Sequence, residues 1–153
     1  MAYLSLPEIR NLYKNHIFTV NLSGASINDS CFIEFIEHQF AMHQVSPRQI
    51  CFEITETIAI TNLNKAAEFI QSFKQLGFSF ALDDFGKGMS SFSYLTNLPV
   101  DYLKIDGMFI KNIERDSVSE KIVESIYCIA KTMNLIVIAE SVETEFIFNK
   151  VTD

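Results

Sequence analysis

Five short apolar runs in this sequence each end on a residue that can bind a metal ion or carry charge. The distance between successive runs is the length of a helix and two loops, which predicts alternating strands and helices. An α/β barrel places its chemistry at the carboxyl ends of its strands. The pattern therefore predicts one site built from several strands and suited to divalent metal ions. The residues that end the runs are Asn21, Glu53, the pair Asp83 and Asp84, Lys104 and Glu140.

The adjacent aspartates Asp83 and Asp84 follow directly after the apolar run Phe78–Leu82. Two carboxylates at the end of a buried strand repel each other, which raises their pKa values unless cations neutralise them. Paired metal ions that share a carboxylate remove this conflict, and two-metal sites of this kind promote in-line attack on phosphodiesters. The structural alternative is that one aspartate caps a helix or forms a turn while the other is solvated.

Glu53 and Lys104 lie inside apolar runs, where a charged side chain requires a partner. Strand alternation puts Phe52 and Ile54 on one face, so Glu53 points into a barrel if these two residues pack against helices. A lysine surrounded by carboxylates stays protonated and can orient an attacking water or neutralise developing charge on a phosphate. The alternatives are an exposed glutamate and an edge-strand lysine that reaches solvent.

Other polar residues extend the candidate site. Asn21 offers a neutral oxygen of the kind that Mg²⁺ accepts, although asparagine is also common in turns that follow strands. Glu140 ends the fifth run and Glu143 lies one helical turn further on, so we expect one to contact metal or water and the other to cap the next helix. Glu56 follows the second strand, where we expect it to anchor a loop through backbone N–H groups.

The loop Gly86-Lys87-Gly88 has some likeness to a nucleotide-binding turn. The third glycine of that motif is missing, however, and the two aspartates before the loop would repel a pyrophosphate. We therefore expect these glycines to allow a mobile loop to cross beside the site.

Composition excludes several classes of function. The 153 residues are 48% hydrophobic, which is enough for a single domain with a buried core. The net charge of −7, without a cluster of Lys or Arg, argues against duplex nucleic acid as a partner. Cys31, Cys51 and Cys128 are widely spaced within apolar stretches, which predicts reduced core thiols of a cytoplasmic protein. No signal peptide or membrane-spanning run is visible, although a longer parent protein could be anchored in a membrane.

The elements that position these residues form one predicted α/β unit with a parallel sheet. Asn62 is placed to cap the second long helix and Gly77 to end it. Ile136–Ala139 is apolar throughout, which is typical of a strand covered on both faces. The fold class is a partial TIM-type (β/α)8 barrel, because a complete one needs about 250 residues. The predicted strands are 18–20, 50–52, 78–82, 101–105 and 136–139, and the predicted helices are 1–14, 29–43, 62–76, 90–98 and 117–133.

Five segments, taken in order, resemble the motifs of the EAL domain family over nearly the whole chain. Members of that family are bacterial phosphodiesterases that open cyclic di-GMP to the linear dinucleotide pGpG with Mg²⁺ or Mn²⁺. The substrate is implied by this resemblance alone, since composition and spacing indicate only an acidic metal site. The segments are Asn21-Leu22-Ser23, Glu53-Ile54-Thr55-Glu56, Asp83-Asp84-Phe85-Gly86, Asp101-Tyr102-Leu103-Lys104-Ile105-Asp106 and Ala139-Glu140-Ser141-Val142-Glu143.

The resemblance implies a role for each candidate residue. Lys104 would hold the nucleophilic water, and Glu56 would pin the loop 86–91, which in this family couples the metal site to a dimer contact. Lys87 and Met89 depart from the family pattern in that loop, where a small hydroxyl residue and an aromatic are usual. The implied ligands of the two-metal site are Asn21, Glu53, Asp83 as the bridging carboxylate, Asp84 and Glu140, the last through metal or water.

The resemblance also implies a domain larger than this chain. The strand with the Glu-Ala-Leu motif would precede Met1, and the last strand, with a glutamine, would follow Asp153. We therefore expect residues 1–153 to form a single incomplete EAL-like domain of five central βα units, with sensory or GGDEF domains possible in a longer parent. Such a chain is expected to hydrolyse cyclic di-GMP weakly or not at all, and to dimerise or self-associate through exposed strand edges.

Two other functions compete with phosphodiesterase activity. The first is a non-catalytic EAL-like module that binds a nucleotide or a protein partner. The second is a metal-dependent barrel hydrolase of another kind, which the order of the five motifs disfavours.

Overall fold

Five parallel strands form one sheet, and their order in the sheet is their order in the chain. The computed structural model describes residue 13 and residues 16–29, 31–88 and 92–152. Parallel neighbours in chain order are the arrangement of consecutive units in a (β/α)8 barrel, which confirms the predicted fold class. The strands are β1 (Phe18–Asn21), β2 (Ile50–Thr55), β3 (Ser79–Phe85), β4 (Tyr102–Ile105) and β5 (Ile136–Ala139).

Helices occupy the connections between the strands. The structure confirms the predicted helices 29–43, 62–76 and 117–133. The segment predicted at 90–98 is a 3-10 helix over Phe92–Asn97. Of the helix predicted at 1–14, only residue 13 is among the described residues. Three helices of five or six residues were not predicted, because so short a segment has no readable periodicity. The α-helices are α1 (Gly24–Asn28), α2 (Phe32–His43), α3 (Glu56–Thr61), α4 (Leu63–Gln75), α5 (Gly107–Asn112), α6 (Ser117–Thr132) and α7 (Glu145–Thr152).

The ends of α4 are those that the sequence predicts. The side chain of Asn62 accepts a hydrogen bond from the backbone N–H of Lys65, which satisfies one of the free donors in the first turn. Gly77 follows the helix with φ of +97°, a left-handed conformation that glycine adopts without steric cost. These two residues set where the chain turns back into β3.

Phenylalanines fill the layer between the sheet and α4. The ring of Phe52 in β2 lies 5.5 Å from that of Phe73, which is fully buried, and the ring of Phe80 in β3 lies 6.2 Å from that of Phe69. Because side chains alternate along a strand, Glu53 must point to the opposite face of the sheet. The predicted orientation of Glu53 is thereby confirmed.

Strand β3 extends further than the sequence predicts. It was expected to end at Leu82, but it continues through both aspartates to Phe85. Leu82 pairs with Leu103 and Phe85 with Ile105, so β3 contains one more residue than β4 between these two pairs. This bulge coincides with a φ of +56° at Asp84, and a bulge of this kind re-aims the side chains of a strand.

The prediction that β5 is covered on both faces is wrong for the described residues. Ile136 is 57% exposed and Ile138 is 39% exposed, whereas Val137 and Ala139 pack against the core. The strand lies at the edge of the sheet, and helices cover only one of its faces. An apolar sequence alone does not distinguish a strand covered on both faces from one covered on a single face.

The prediction of three core thiols holds only for Cys51. That residue is buried, which raises the pKa of its thiol to about 12 and keeps it uncharged. Cys31 and Cys128 are exposed free thiols, because Cys31 precedes α2 and Cys128 lies on the outer face of α6. In the described residues no helix is both long and apolar enough to cross a membrane.

Candidate metal centre and active site

The ammonium group of Lys104 joins three carboxylates that come from three different parts of the chain. Its Nζ lies 3.0 Å from Oε2 of Glu53, 2.9 Å from Oδ1 of Asp83 and 2.9 Å from Oε1 of Glu140. The lysine side chain is only 13% exposed and that of Glu53 only 8%. Of the six residues that were predicted to converge at the strand ends, Lys104 and these three carboxylates are therefore in direct contact.

Strand alternation explains why a lysine is tolerated at this depth. Leu103 and Ile105 are buried on the face of β4 that the helices cover, so Lys104 projects from the other face toward the carboxylates. Burial by itself lowers the pKa of the amine, but hydrogen bonds with Asp83, Glu140 and Glu53 outweigh it and raise the pKa above its ordinary value. Lys104 is thus a protonated cation at neutral pH.

The second aspartate of the pair has a lysine of its own. The Nζ of Lys87 lies 2.8 Å from Oδ1 of Asp84 and 2.6 Å from Oδ2 of Asp106. These two hydrogen bonds, to Asp106 and then to Asp84, raise the pKa of Lys87. The repulsion that the sequence predicts between Asp83 and Asp84 is therefore offset by two lysines, one for each carboxylate.

Asp106 connects this ion pair to the helix that follows β4. Its Oδ1 accepts a hydrogen bond of 2.7 Å from the backbone N–H of Met108, which caps α5. Burial of Asp106 raises the pKa of its carboxyl, but the hydrogen bonds from Lys87 and Met108 outweigh this effect, so the pKa is lowered. Asp106 is consequently an ionised and fixed partner for Lys87.

Oxygen atoms of Asp83, Asp84 and Glu140 lie within 4.8 Å of one another. This is the one group of three or more acidic, cysteine or histidine residues in the described chain whose spacing suits a metal ion. Glu53 is not in the group, although its carboxylate shares the Lys104 ammonium group with Asp83 and Glu140. Asn21 is in register with Glu53 on the neighbouring strand, so the two side chains point to the same face of the sheet.

Glu56 is buried and holds the loop that follows β3. Its Oε2 accepts hydrogen bonds from the backbone N–H groups of Gly86, at 3.1 Å, and Gly88, at 3.2 Å. Its Oε1 accepts a hydrogen bond of 2.6 Å from the hydroxyl of Tyr94. Burial and this hydrogen bond raise the pKa of the Tyr94 hydroxyl. These are the backbone contacts expected of a loop anchor, although Glu56 itself begins α3 and does not lie in a loop.

The remaining candidate, Glu143, does not cap a helix. Its carboxylate lies 2.8 Å from Nζ of Lys111, and α7 begins only at Glu145. The hydroxyl of Thr144 instead accepts a hydrogen bond from the backbone N–H of Ile147. The cap lies one residue later than expected, because residues 140–144 between β5 and α7 are not helical.

Three residues of this region were given no role from the residue pattern. Asp106 follows β4 directly, as the predicted site residues follow their strands, so the same pattern contains the signal for it. Lys87 was noted only as a departure from the family pattern, although it stands three residues after Asp84. Tyr94 has no such signal, because it reaches Glu56 from the 3-10 helix, 38 residues away in sequence.

The chain belongs to the EAL domain family, whose pattern matches residues 4–153. It is 41% identical over 149 residues to the cyclic di-GMP phosphodiesterase PdeB of Shewanella oneidensis. The matched region is 97% of this chain but only 17% of that protein. The chain therefore spans less than a fifth of the length of this curated relative.

Two solved structures share the fold closely. The PaMucR phosphodiesterase in complex with c-di-GMP superposes with a TM-score of 0.89 and 29% identity, over 98% of this chain and 60% of that one. Klebsiella pneumoniae BlrP1, solved with manganese and cyclic di-GMP, superposes with a TM-score of 0.86 and 26% identity, over 97% of this chain and 38% of that one. Both matches support the assignment of the five strands to a barrel of this family.

Proposed function

We propose that these residues form the metal-binding core of a phosphodiesterase that hydrolyses cyclic di-GMP to linear pGpG. The observation that carries the proposal is the Lys104 ammonium group, held within 3.0 Å of carboxylates from β2, β3 and the end of β5. Relatives and structural neighbours named as cyclic di-GMP phosphodiesterases support the substrate.

The donor atoms at the site fit a hard divalent cation. Five carboxylates meet two lysine ammonium groups there, so negative charge remains in excess. All candidate ligand atoms are carboxylate or amide oxygens, which Mg²⁺ and Mn²⁺ prefer. Manganese in the BlrP1 structure supports Mn²⁺ as one of the two candidates. The residues that would hold the ions are Asp83, Asp84 and Glu140, with Asn21 and Glu53 on the same face of the sheet.

Each protein group then has a defined task. Lys104, protonated and held by three carboxylates, orients a water molecule toward the phosphate and offsets charge that develops on its oxygens. Asp83 and Glu140 fix the position of that lysine, and Glu56 holds the glycine loop beside the site. Metal ions held by Asp83, Asp84 and Glu140 would supply an activated water and stabilise the charge on the attacking and leaving oxygens.

Metal binding is the direct test of the proposal. Millimolar Mn²⁺ should raise the melting temperature relative to EDTA, because a ligand that binds only the folded chain stabilises it. Asp83→Asn should abolish this shift, while Glu68→Gln, which removes an exposed carboxylate on α4, should leave it unchanged. Equal melting temperatures of the unsubstituted chain in EDTA and Mn²⁺ would refute the metal site.

Nucleotide binding without turnover would favour the non-catalytic alternative. Titration of cyclic di-GMP in Ca²⁺ and in Mn²⁺ into a chain extended to the full length of its relatives, with product analysis for pGpG, separates the two functions. Binding in both metals with no pGpG in Mn²⁺ would support a nucleotide-binding module, and pGpG formation that requires Lys104 would support the enzyme.

The cysteines and the edge strand support two proposals about the surroundings of this domain. Three free thiols suit the reducing cytoplasm, and sensory or GGDEF domains are candidate neighbours in a longer protein. Association with a second copy of the chain is proposed from the exposed side chains of β5, the edge strand.

A further inference from the structure

Lys87 forms an ion pair with Asp84, one of the three residues whose oxygen atoms lie close enough together to hold a metal ion. We infer that Lys87 competes with a divalent cation for the Asp84 carboxylate and thereby lowers the metal affinity of this chain. The inference rests on the proposed metal site and adds to it a residue that sets how tightly the site binds. Lys87 does not contact the reacting groups in this scheme, so it is an affinity-determining residue and not a catalytic one.

The competition follows from the geometry of the two aspartates. Asp84 supplies one of the three oxygen atoms that lie within 4.8 Å of one another, and Lys87 contacts Oδ1 of the same carboxylate at 2.8 Å. An ammonium group at that oxygen neutralises charge that would otherwise attract a cation, and it repels the cation directly. Metal binding at Asp84 must therefore displace Lys87 or proceed against its charge.

Lys87 can be displaced more easily than Lys104. The side chain of Lys87 is 52% exposed and joins two carboxylates, whereas that of Lys104 is 13% exposed and joins three. Exposed ion pairs contribute little to stability, so the cost of separating Lys87 from Asp84 is small. Of these two lysines, Lys87 is the one whose position a metal ion can change.

Asp106 gives Lys87 a place to remain after it leaves Asp84. Its Oδ2 lies 2.6 Å from Lys87 Nζ, and its other oxygen is fixed by the N–H of Met108 at the start of α5. The backbone around Lys87 is also held, because the N–H groups of Gly86 and Gly88 both donate to Glu56. A rotation of the lysine side chain is therefore sufficient, and the competition weakens metal binding without preventing it.

Isothermal titration of Mn²⁺ into the full chain tests the inference. Lys87→Met keeps the length of the side chain and removes its charge. We expect the Kd of this variant for Mn²⁺ to fall about tenfold, because one opposing charge at contact distance in water is removed. Lys87→Arg retains the charge and should bind like the unsubstituted chain. Lys111→Met is the matched control, since Lys111 is equally exposed, at 51%, and pairs with Glu143 outside the metal group.

The outcomes separate this inference from the proposed function. The inference is supported if Lys87→Met binds Mn²⁺ more tightly than the unsubstituted chain and Lys111→Met does not. It is also supported if Lys87→Met binds Mn²⁺ measurably while the unsubstituted chain binds too weakly to measure. An unchanged or weaker Kd in Lys87→Met would overturn the inference while leaving the metal site intact, as would an equal gain in Lys111→Met. Absence of binding in every variant, with Lys87→Met folded by circular dichroism, would remove both proposals.

Discussion

Removing the Lys104 charge should destabilise the fold far more than removing an ordinary surface lysine. Lys104→Met leaves three carboxylates without their shared cation, and Glu53, with its side chain only 8% exposed, has the least access to water. Removing one partner of a buried ion pair costs about 3–5 kcal/mol, because a buried charge is left uncompensated. Glu140 is 29% exposed and Asp83 also accepts a hydrogen bond from the N–H of Asp84, so we expect the lower end, about 3 kcal/mol.

Equilibrium unfolding in urea, followed by circular dichroism with EDTA present, measures this loss. A loss of about 3 kcal/mol moves the midpoint by about 1.5 M for a domain whose dependence on urea is about 2 kcal/mol/M. Lys74→Met is the matched control, because Lys74 lies 2.6 Å from Asp101 but both side chains are about one-third exposed. That change should cost about 0.5–1 kcal/mol.

A second substitution tests the cause of the loss. Lys104→Met combined with Glu53→Gln removes the buried unpaired charge, and it should recover about half of the lost stability. A midpoint for Lys104→Met equal to that of Lys74→Met would refute the reasoning. So would a double variant that is less stable than Lys104→Met alone, since it would mean that unpaired charge is not the source of the cost.

Two further predictions concern activity and association. In a chain extended to the full length of its relatives, Lys104→Ala should lower cyclic di-GMP turnover by at least about 10²-fold, the loss expected when a positioned electrostatic group is removed. An unchanged rate of hydrolysis would disprove the water-orienting role of Lys104. The 153-residue chain should self-associate through its exposed edge strand, so light scattering should show species larger than a monomer, and Ile138→Lys should reduce them. A monomer at all concentrations, with normal turnover, would contradict this expectation.

Much of the fold could be read from local patterns. The strands coincide with apolar runs, and the caps at Asn62 and Gly77 follow from the conformations that these residue types prefer. The short helices α1, α3 and α5 could not be read, because five or six residues span fewer than two turns. The extension of β3 was missed as well, since an aspartate pair ordinarily signals the end of a strand and the bulge depends on pairing with β4.

The sequence by itself determined four of the residues that meet at the site. Parallel strands bring their carboxyl ends to one edge of the sheet, and side-chain alternation decides which residues face away from the helices. These two rules are sufficient to bring Glu53, Asp83, Lys104 and Glu140 together from their spacing alone. The family motifs then imply a substrate, which spacing cannot.

Only the tertiary structure decided how the charges are shared. Lys104 and Glu53 are 51 residues apart in sequence, and no local rule states that this lysine serves Asp83 while Lys87 serves Asp84. Which lysine pairs with which aspartate depends on the bulge in β3, on the position of β4 beside it and on Asp106 at the start of α5. Ion pairing is decided by distances of a few ångströms between residues far apart in the chain, and only packing of the strands and helices sets those distances.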